Sequence, residues 1–135
     1  MQAGSAAAPR LRIRDIQVNT APLLAQSGNP TAAWAGAALS AALQQALVAD
    51  LAPEDASAPT LSVRVNAIIL GPVGPEGMAI DTIKGAATLG GRSTRLRATT
   101  FYTPSPVDQT LVEQALQGRV TTLAAALAQT LSRKL

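Results

Sequence analysis

The chain contains neither cysteine nor histidine. The first absence excludes disulfides and thiol nucleophiles, and the second excludes imidazole as a general base or metal ligand. Together they exclude nearly every zinc, copper or haem site. A protein without thiols is compatible with either redox compartment, so cysteine usage does not indicate where the protein resides.

Aromatic side chains are also scarce, at 2% of the 135 residues, and Trp34, Phe101 and Tyr102 are the complete set. The core is therefore expected to consist of aliphatic side chains and alanine, with little flat surface for stacking on bases. Eleven basic and eight acidic residues give a net charge of +3. This balance favours anionic partners but is too low for a dedicated nucleic-acid binder.

The carboxylates do not form a recognisable general acid/base pair. Asp50, Glu54 and Asp55 fall at a predicted helix end and turn, and Asp108 fits the first turn of a predicted helix. The glycines within residues 71–77 follow no phosphate-loop or dinucleotide pattern. We therefore expect no catalytic residue, no metal site and no cofactor, and a function in binding or scaffolding.

Four β-strands are predicted from alternating apolar side chains. They cover residues 11–20, 60–70, 78–89 and 92–103. The first alternation changes phase between Ile13 and Ile16, which predicts a bulge near Arg14-Asp15, because one extra residue reverses all later side chains. Gly90-Gly91 predicts a two-residue hairpin between the last two strands.

Two helices are predicted from apolar side chains at three- and four-residue spacing. The first follows a loop at residues 21–28, begins at Asn29-Pro30 and ends at Pro53. The second follows Pro104-Ser105-Pro106, with Ser105 or Asp108 as its cap, and is expected to bury a stripe running from Val112 to Leu131.

These elements predict an α+β fold in a single domain over residues 11–135. The order is β-α-β-β-β-α, with two helices packed on one face of a four-stranded mixed sheet. Residues 1–10 have neither the basic nor the apolar region of a signal peptide. Their Ala/Gly/Ser-rich start is expected to be a flexible N-terminal tether, and the alternative is an ordinary cytosolic N-terminus. No part of the sequence remains to cover the other face of the sheet, which must be solvated or contact a partner.

Basic side chains concentrate on this uncovered face if the apolar residues of each strand face the helices. Those predicted to point outward are Arg12, Arg14, Arg64, Lys84, Arg95 and Arg97. Charge of one sign on a flat sheet favours a phosphate-bearing or acidic partner. The alternative is an ordinary solvated face, where arginines keep the sheet soluble and discourage edge pairing.

Four apolar or aromatic side chains are candidates for a pocket or docking site. Trp34 is expected to anchor the edge of the core, or else to line the mouth of an apolar pocket between helix and sheet. Ile68 and Leu70 depart from the alternation of their strand and predict a small exposed apolar patch. Phe101 is expected to point outward beside the arginines.

The layout resembles the small outer-membrane lipoproteins of Gram-negative bacteria. The similarity covers the bulged first strand (LRIRDIQV), the Ala-rich helix (AAWAGAALSAALQQALVADL), the Val-rich strand (LSVRVNAIIL) and the Leu-rich terminal helix. The layout of the chain is similar to the lipopolysaccharide-assembly lipoprotein, the auxiliary lipoproteins of ABC-type lipid transporters, and the amino-terminal domain of TolB.

The resemblance implies a periplasmic protein that is held at the outer membrane only by an N-terminal lipid anchor. In this family the lipid is attached to a cysteine, and in this sequence Met1 would stand in its place. For the lipopolysaccharide-assembly type it also implies a lipid-A or transporter partner contacted by basic residues, which Arg12, Arg64, Arg95 and Arg97 would fit.

We therefore expect a non-enzymatic envelope accessory protein that binds a transporter, an assembly partner or an anionic lipid through a basic sheet face. The alternative is a small carrier holding a lipophilic ligand between helices and sheet, which the Ala-rich interior favours. A nucleic-acid-binding sheet is disfavoured, because Phe101 is its single outward aromatic side chain.

Overall fold

The computed structural model describes residues 12–26 and 29–135. Its elements in chain order are β1 (Asp15–Asn19), α1 (Ala21–Gln26), α2 (Asn29–Ala46), a 3₁₀ turn (Val48–Asp50), β2 (Thr60–Leu70), β3 (Ala79–Leu89), β4 (Arg92–Tyr102), a second 3₁₀ turn (Pro106–Gln109) and α3 (Val112–Lys134). The predicted single-domain α+β fold is confirmed. The predicted tether, residues 1–10, lies outside the described residues. Within those residues, no helix has the length and apolar content needed to cross a bilayer.

The four strands form one sheet in the order β1-β2-β3-β4. β1 pairs with β2 in parallel, with α1 and α2 in the crossover, and β2, β3 and β4 form an antiparallel meander. Gly90 and Gly91 connect β3 to β4 with φ values of 59° and 83°. Both values lie in the left-handed region that a type I′ hairpin turn requires, so the predicted hairpin is confirmed.

The core lies between the sheet and the two long helices. Its largest fully buried side chains from α2 and α3 include Leu39, Leu43, Leu123, Leu127 and Leu131, which meet Leu61, Val63, Val65 and Ile83 from the sheet. Burying one such side chain contributes about 1.5–3 kcal/mol. Trp34 is partly buried against this core, which agrees with its predicted position at the core edge.

The segment between β1 and α2 differs from the predicted loop. Ala21–Gln26 forms the short helix α1, because the Asn19 side chain accepts a hydrogen bond from the Ala21 N–H at 2.9 Å and Leu23 is completely buried. α2 ends at Ala46 rather than at Pro53, and a 3₁₀ turn continues the chain.

The phase change in the first predicted strand is an interruption of the strand. Ile13 forms an isolated parallel bridge with Leu51, the chain bends at Arg14, and β1 then begins at Asp15. Ile13 and Ile16 both face the core as a result, at 0% and 7% exposure.

A β-bulge in β2 overturns the predicted apolar patch at Ile68 and Leu70. The register shifts between Val65, which pairs with Gly85, and Ala67, which pairs with Lys84. The shift reverses the inward and outward alternation. Ile68 is therefore buried at 5% exposure and Leu70 packs against the core, whereas Ile69 is the exposed residue at 48%.

The beginning of the last helix also differs from the sequence prediction. Val112 is 57% exposed, and the buried residues of α3 begin at Val120. Ser105 and Asp108 stabilise the preceding 3₁₀ turn instead of α3, with the Ser105 N–H donating to Asp108 Oδ2 at 2.9 Å. The first turns of α3 thus extend beyond the core.

Candidate functional site

Four basic residues lie together on the outer face of the sheet, which is the face opposite the helices. Ala86 pairs with both Arg64 and Arg95, and Lys84 pairs with Arg97. Because neighbouring strands lie about 4.8 Å apart, the pairing places these exposed cations within roughly two strand spacings of one another. Arg64, Lys84, Arg95 and Arg97, here called the basic cluster, line a shallow concavity of about 660 Å³.

The basic cluster has no acidic neighbour on the outer face of β2, β3 and β4. Asp81 is the single acid in these three strands, and its side chain points inward, at 1% exposure. Arg64 Nε donates to the neutral Asn66 Oδ1 at 2.9 Å. Among the described residues, none of the four cations forms an ion pair with a carboxylate. The positive charge of the cluster is therefore available to a partner.

Arg12 and Arg14 are exposed but do not join the basic cluster, so the prediction of six cations around one site is wrong for these two. The bend at Arg14 places both ahead of β1. Arg12 Nε contacts Asp55 Oδ2 at 2.6 Å in the turn before β2. Hydrogen bonds from Ser57 and then from Arg12 lower the pKa of Asp55 to about 2, so this ion pair persists in mild acid.

A buried ion pair, which we call the clamp, joins α3 to β3. Arg119 donates to Asp81 from Nε at 2.9 Å and from Nη2 at 2.5 Å. Both residues also hold Gly71 at the end of β2: its carbonyl accepts from Arg119 at 2.8 Å and its N–H donates to Asp81 at 3.1 Å. The hydrogen bonds from Arg119 to Asp81 raise the pKa of Arg119. The clamp fixes the ends of two strands against one helix.

Tyr102 extends the clamp toward the surface. The Arg119 guanidinium lies 4.3 Å from the centre of the Tyr102 ring, and Tyr102 Oη donates to Asp108 Oδ2 at 2.7 Å. This bond raises the pKa of Tyr102. The Ser105 backbone N–H, followed by Tyr102, lowers the pKa of Asp108. Asp81 and Asp108 both accept from fixed donors, which is typical of structural carboxylates.

A groove of about 340 Å³ lies between β4 and the beginning of α3. Tyr102 and Arg119 are among its lining residues, Val107 and Leu111 line it as exposed apolar side chains, at 59% and 44% exposure, and Phe101 borders it at the end of β4. On the helix side, the edge groove is lined by Ala115 and Gly118, which have little or no side chain, and by the polar residues Gln114, Arg119 and Thr122.

Neither the clamp nor the edge groove was predicted from the sequence. The sequence feature that could have indicated the clamp is Asp81, a carboxylate at an inward-facing position between Ala79 and Ile83. A buried charge requires a partner of opposite charge, so a basic residue near Asp81 could have been expected. Phe101 points outward as predicted, and its cross-strand neighbour Ile80 is also exposed, at 55%. In the ranges the structure describes, no three carboxylates come together as a metal site would require.

No protein-family model and no curated protein matches this chain. Among solved structures, the chain is similar to an uncharacterized protein at 10% identity with a TM-score of 0.57, over 92% of this chain and 91% of that chain. It is also similar to a minor lipoprotein from Acinetobacter baumannii at 10% identity with a TM-score of 0.48, over 90% and 94% of the two chains. The first similarity shows a shared fold, and neither transfers a function.

Proposed function

We propose that this domain is a non-enzymatic accessory protein of the bacterial cell envelope that binds a transporter component, an assembly partner or an anionic lipid through the basic cluster. The observation that supports the proposal is the set of four cations on three adjacent strands, with no acid on the outer face of those strands. A carboxylate or phosphate placed there gains charge-assisted hydrogen bonds without displacing an existing ion pair.

The composition of the basic cluster fits a partner with several anionic groups. Three of its members are arginines, whose planar guanidinium groups can bind phosphate or carboxylate through two parallel hydrogen bonds. Ser62, Thr88 and Ser93 lie near Arg64 and Arg95 around an adjoining concavity. Thr88 and Ser93 share a hydrogen bond of 3.0 Å, so one hydroxyl of this pair and that of Ser62 remain as donors. A surface of this kind recognises clustered anions by position as well as by charge.

A vesicle-binding comparison tests the lipid form of the proposal. Each cation near an anionic membrane contributes about 1 kcal/mol, so the double variant Arg64→Gln, Arg97→Gln should bind phosphatidylglycerol vesicles roughly 30-fold more weakly. The matched control is Arg92→Gln, Arg133→Gln, which removes the same charge from exposed positions outside the cluster. Equal losses in the two variants would mean that net charge, and not the cluster, governs binding.

For a protein partner, the same two variants serve in cross-linking to solubilised envelope fractions. The proposal expects one adduct that the cluster variant loses and the control variant retains. An adduct that survives in both variants would place the contact elsewhere on the domain.

The envelope location is supported by the resemblance of element order and composition to small Gram-negative outer-membrane lipoproteins. The intact mass and membrane fractionation of the native protein test it. A lipidated cysteine immediately ahead of residues 2–5, in the outer-membrane fraction, is the expected result. An unmodified cytosolic protein would refute the location and leave the binding surface as a separate question. The carrier alternative stays a prediction.

A further inference from the structure

β4 is an edge strand with a free side. In the sheet order β1-β2-β3-β4, its neighbour is β3, and no other described strand pairs with it. Leu89 and Arg92 flank the two-residue turn and form a hydrogen-bonded pair, so the even-numbered residues of β4 bond to β3. The backbone groups of Arg95, Arg97, Thr99 and Phe101 therefore face away from the sheet. The Lys134 Nζ that donates to the Arg95 carbonyl at 2.9 Å confirms this orientation.

The two sides of this free edge differ in chemistry. On the outer face lie the side chains of Arg95 and Arg97, which belong to the basic cluster. On the inner face, toward α3, lies the edge groove, with Leu111 on its lining and open space at Gly118, where an added Cβ would meet no atom within 4 Å. A strand placed beside β4 would thus have one row of side chains against cations and the other row in a groove where the apolar Val107 and Leu111 lie among polar side chains.

We propose that β4 accepts an added strand from a partner protein whose extended segment alternates acidic and apolar side chains. The segment bonds to the free backbone groups of Thr99 and Phe101, its apolar side chains enter the edge groove, and its acidic side chains lie beside Arg95 and Arg97. Strand addition of this kind derives affinity from backbone hydrogen bonds and specificity from alternate side-chain positions. The inference rests on the proposed function for the acidic side chains, and it specifies a polypeptide partner.

The charges select the occupant. A second copy pairing through its own β4 would bring Arg95 and Arg97 close to the same arginines of the first copy, and like charges on neighbouring strands are destabilising. A lipid head group can neutralise the arginines but cannot pair with a row of backbone N–H and C=O groups. An extended acidic segment satisfies the edge, the arginines and the groove together.

The test uses the full chain and a blocked synthetic peptide that alternates valine and glutamate. The controls are a peptide of the same composition in scrambled order and one that alternates valine and lysine. Amide hydrogen exchange by NMR is the readout. The alternating acidic peptide should slow exchange at the Thr99 and Phe101 amides, and the two control peptides should not.

Two variants test the contributions of the groove and the backbone. Gly118→Leu places a side chain in open space and should weaken peptide binding on the order of tenfold while leaving vesicle binding unchanged. Thr99→Pro removes one edge N–H, which an edge strand tolerates, and should weaken binding similarly, with Thr99→Ala as its control.

Three results would overturn strand addition. The first is peptide binding without protection of the two amides, and the second is equal binding of the scrambled peptide. The third is protection of these amides in the free protein that rises with protein concentration, since that would identify a second copy as the occupant. Vesicle binding that is lost in the basic-cluster variant but not in the control variant would, in all three cases, leave the proposed function standing.

Discussion

Removing Arg119 from the clamp should destabilise the domain strongly. Asp81 is 1% exposed and Arg119 is 11% exposed at the side chain, so Arg119→Met leaves a buried carboxylate whose remaining donor is the Gly71 N–H. Breaking a buried ion pair from one side costs about 3–5 kcal/mol. For Arg119→Met we expect a loss of about 3 kcal/mol in the free energy of unfolding, at the lower end of this range, because the partial exposure of Arg119 lets water reach the vacated position. That is a large part of the roughly 5–15 kcal/mol that holds a domain folded.

The opposite substitution should cost less. Asp81→Asn leaves Arg119 bonded to the Gly71 carbonyl and stacked on Tyr102, with a route to solvent. We expect about 1–2 kcal/mol for this variant. The double variant should lose clearly less free energy of unfolding than the two single variants lose together, because it leaves no buried charge without a partner. The expected coupling free energy between the two positions is roughly 2 kcal/mol.

Equilibrium unfolding in urea, followed by the fluorescence of Trp34, the single tryptophan, measures these differences. Arg133→Met is the control, since it removes an exposed cation from the same helix and should change stability by no more than about 0.5 kcal/mol. A loss below about 1 kcal/mol for Arg119→Met, or strictly additive losses in the double variant, would show that the clamp is not a coupled buried pair.

Three further substitutions give independent checks. Tyr102, the single tyrosine, should titrate above its ordinary pKa in an absorbance titration, and Asp108→Asn should return it toward that value. Because the pKa of Asp108 is lowered in the folded state, its ionised carboxylate stabilises the domain above the unfolded-state pKa, and this stabilisation is lost as the pH falls through the folded-state pKa. In Asp108→Asn, the free energy of unfolding should therefore fall less steeply in acid than in the original protein. Gly85→Ala should destabilise by roughly 2–4 kcal/mol in urea unfolding, because its Cβ would overlap the Arg64 carbonyl oxygen. Gly118→Ala, in open helix surface, should instead stabilise by about 0.5–1 kcal/mol.

The meander was predictable because its signals are local. Alternation in β2, β3 and β4 follows from burial of one face, and the left-handed turn at Gly90 and Gly91 needs no information from distant residues. The same alternation assigned Arg64, Lys84, Arg95 and Arg97 to the outer face, and strand order then brought them together. Arg12 and Arg14 were misplaced because the chain bends at Arg14, immediately before β1.

The features that sequence reasoning missed depend on pairs of distant residues. The bulge after Val65 lies opposite Gly85, whose missing Cβ lets the Arg64 carbonyl approach, and this is a property of two strands together. The clamp joins residues that are 38 positions apart. α1 is only six residues long, which is too short for helical periodicity to emerge from its sequence.

The parallel pairing of β1 with β2 has a consequence for the order of folding. The β2-β3-β4 meander closes through short connections, whereas β1 reaches its partner only after the whole segment containing α1 and α2 has condensed. Pairing two strands across a long connection loses more chain entropy than pairing across a short turn, and this loss precedes the formation of stabilising contacts. β1 should therefore be the last strand to join during folding and the first to detach in partial unfolding, leaving β2 as a temporarily open edge while the rest of the sheet remains intact.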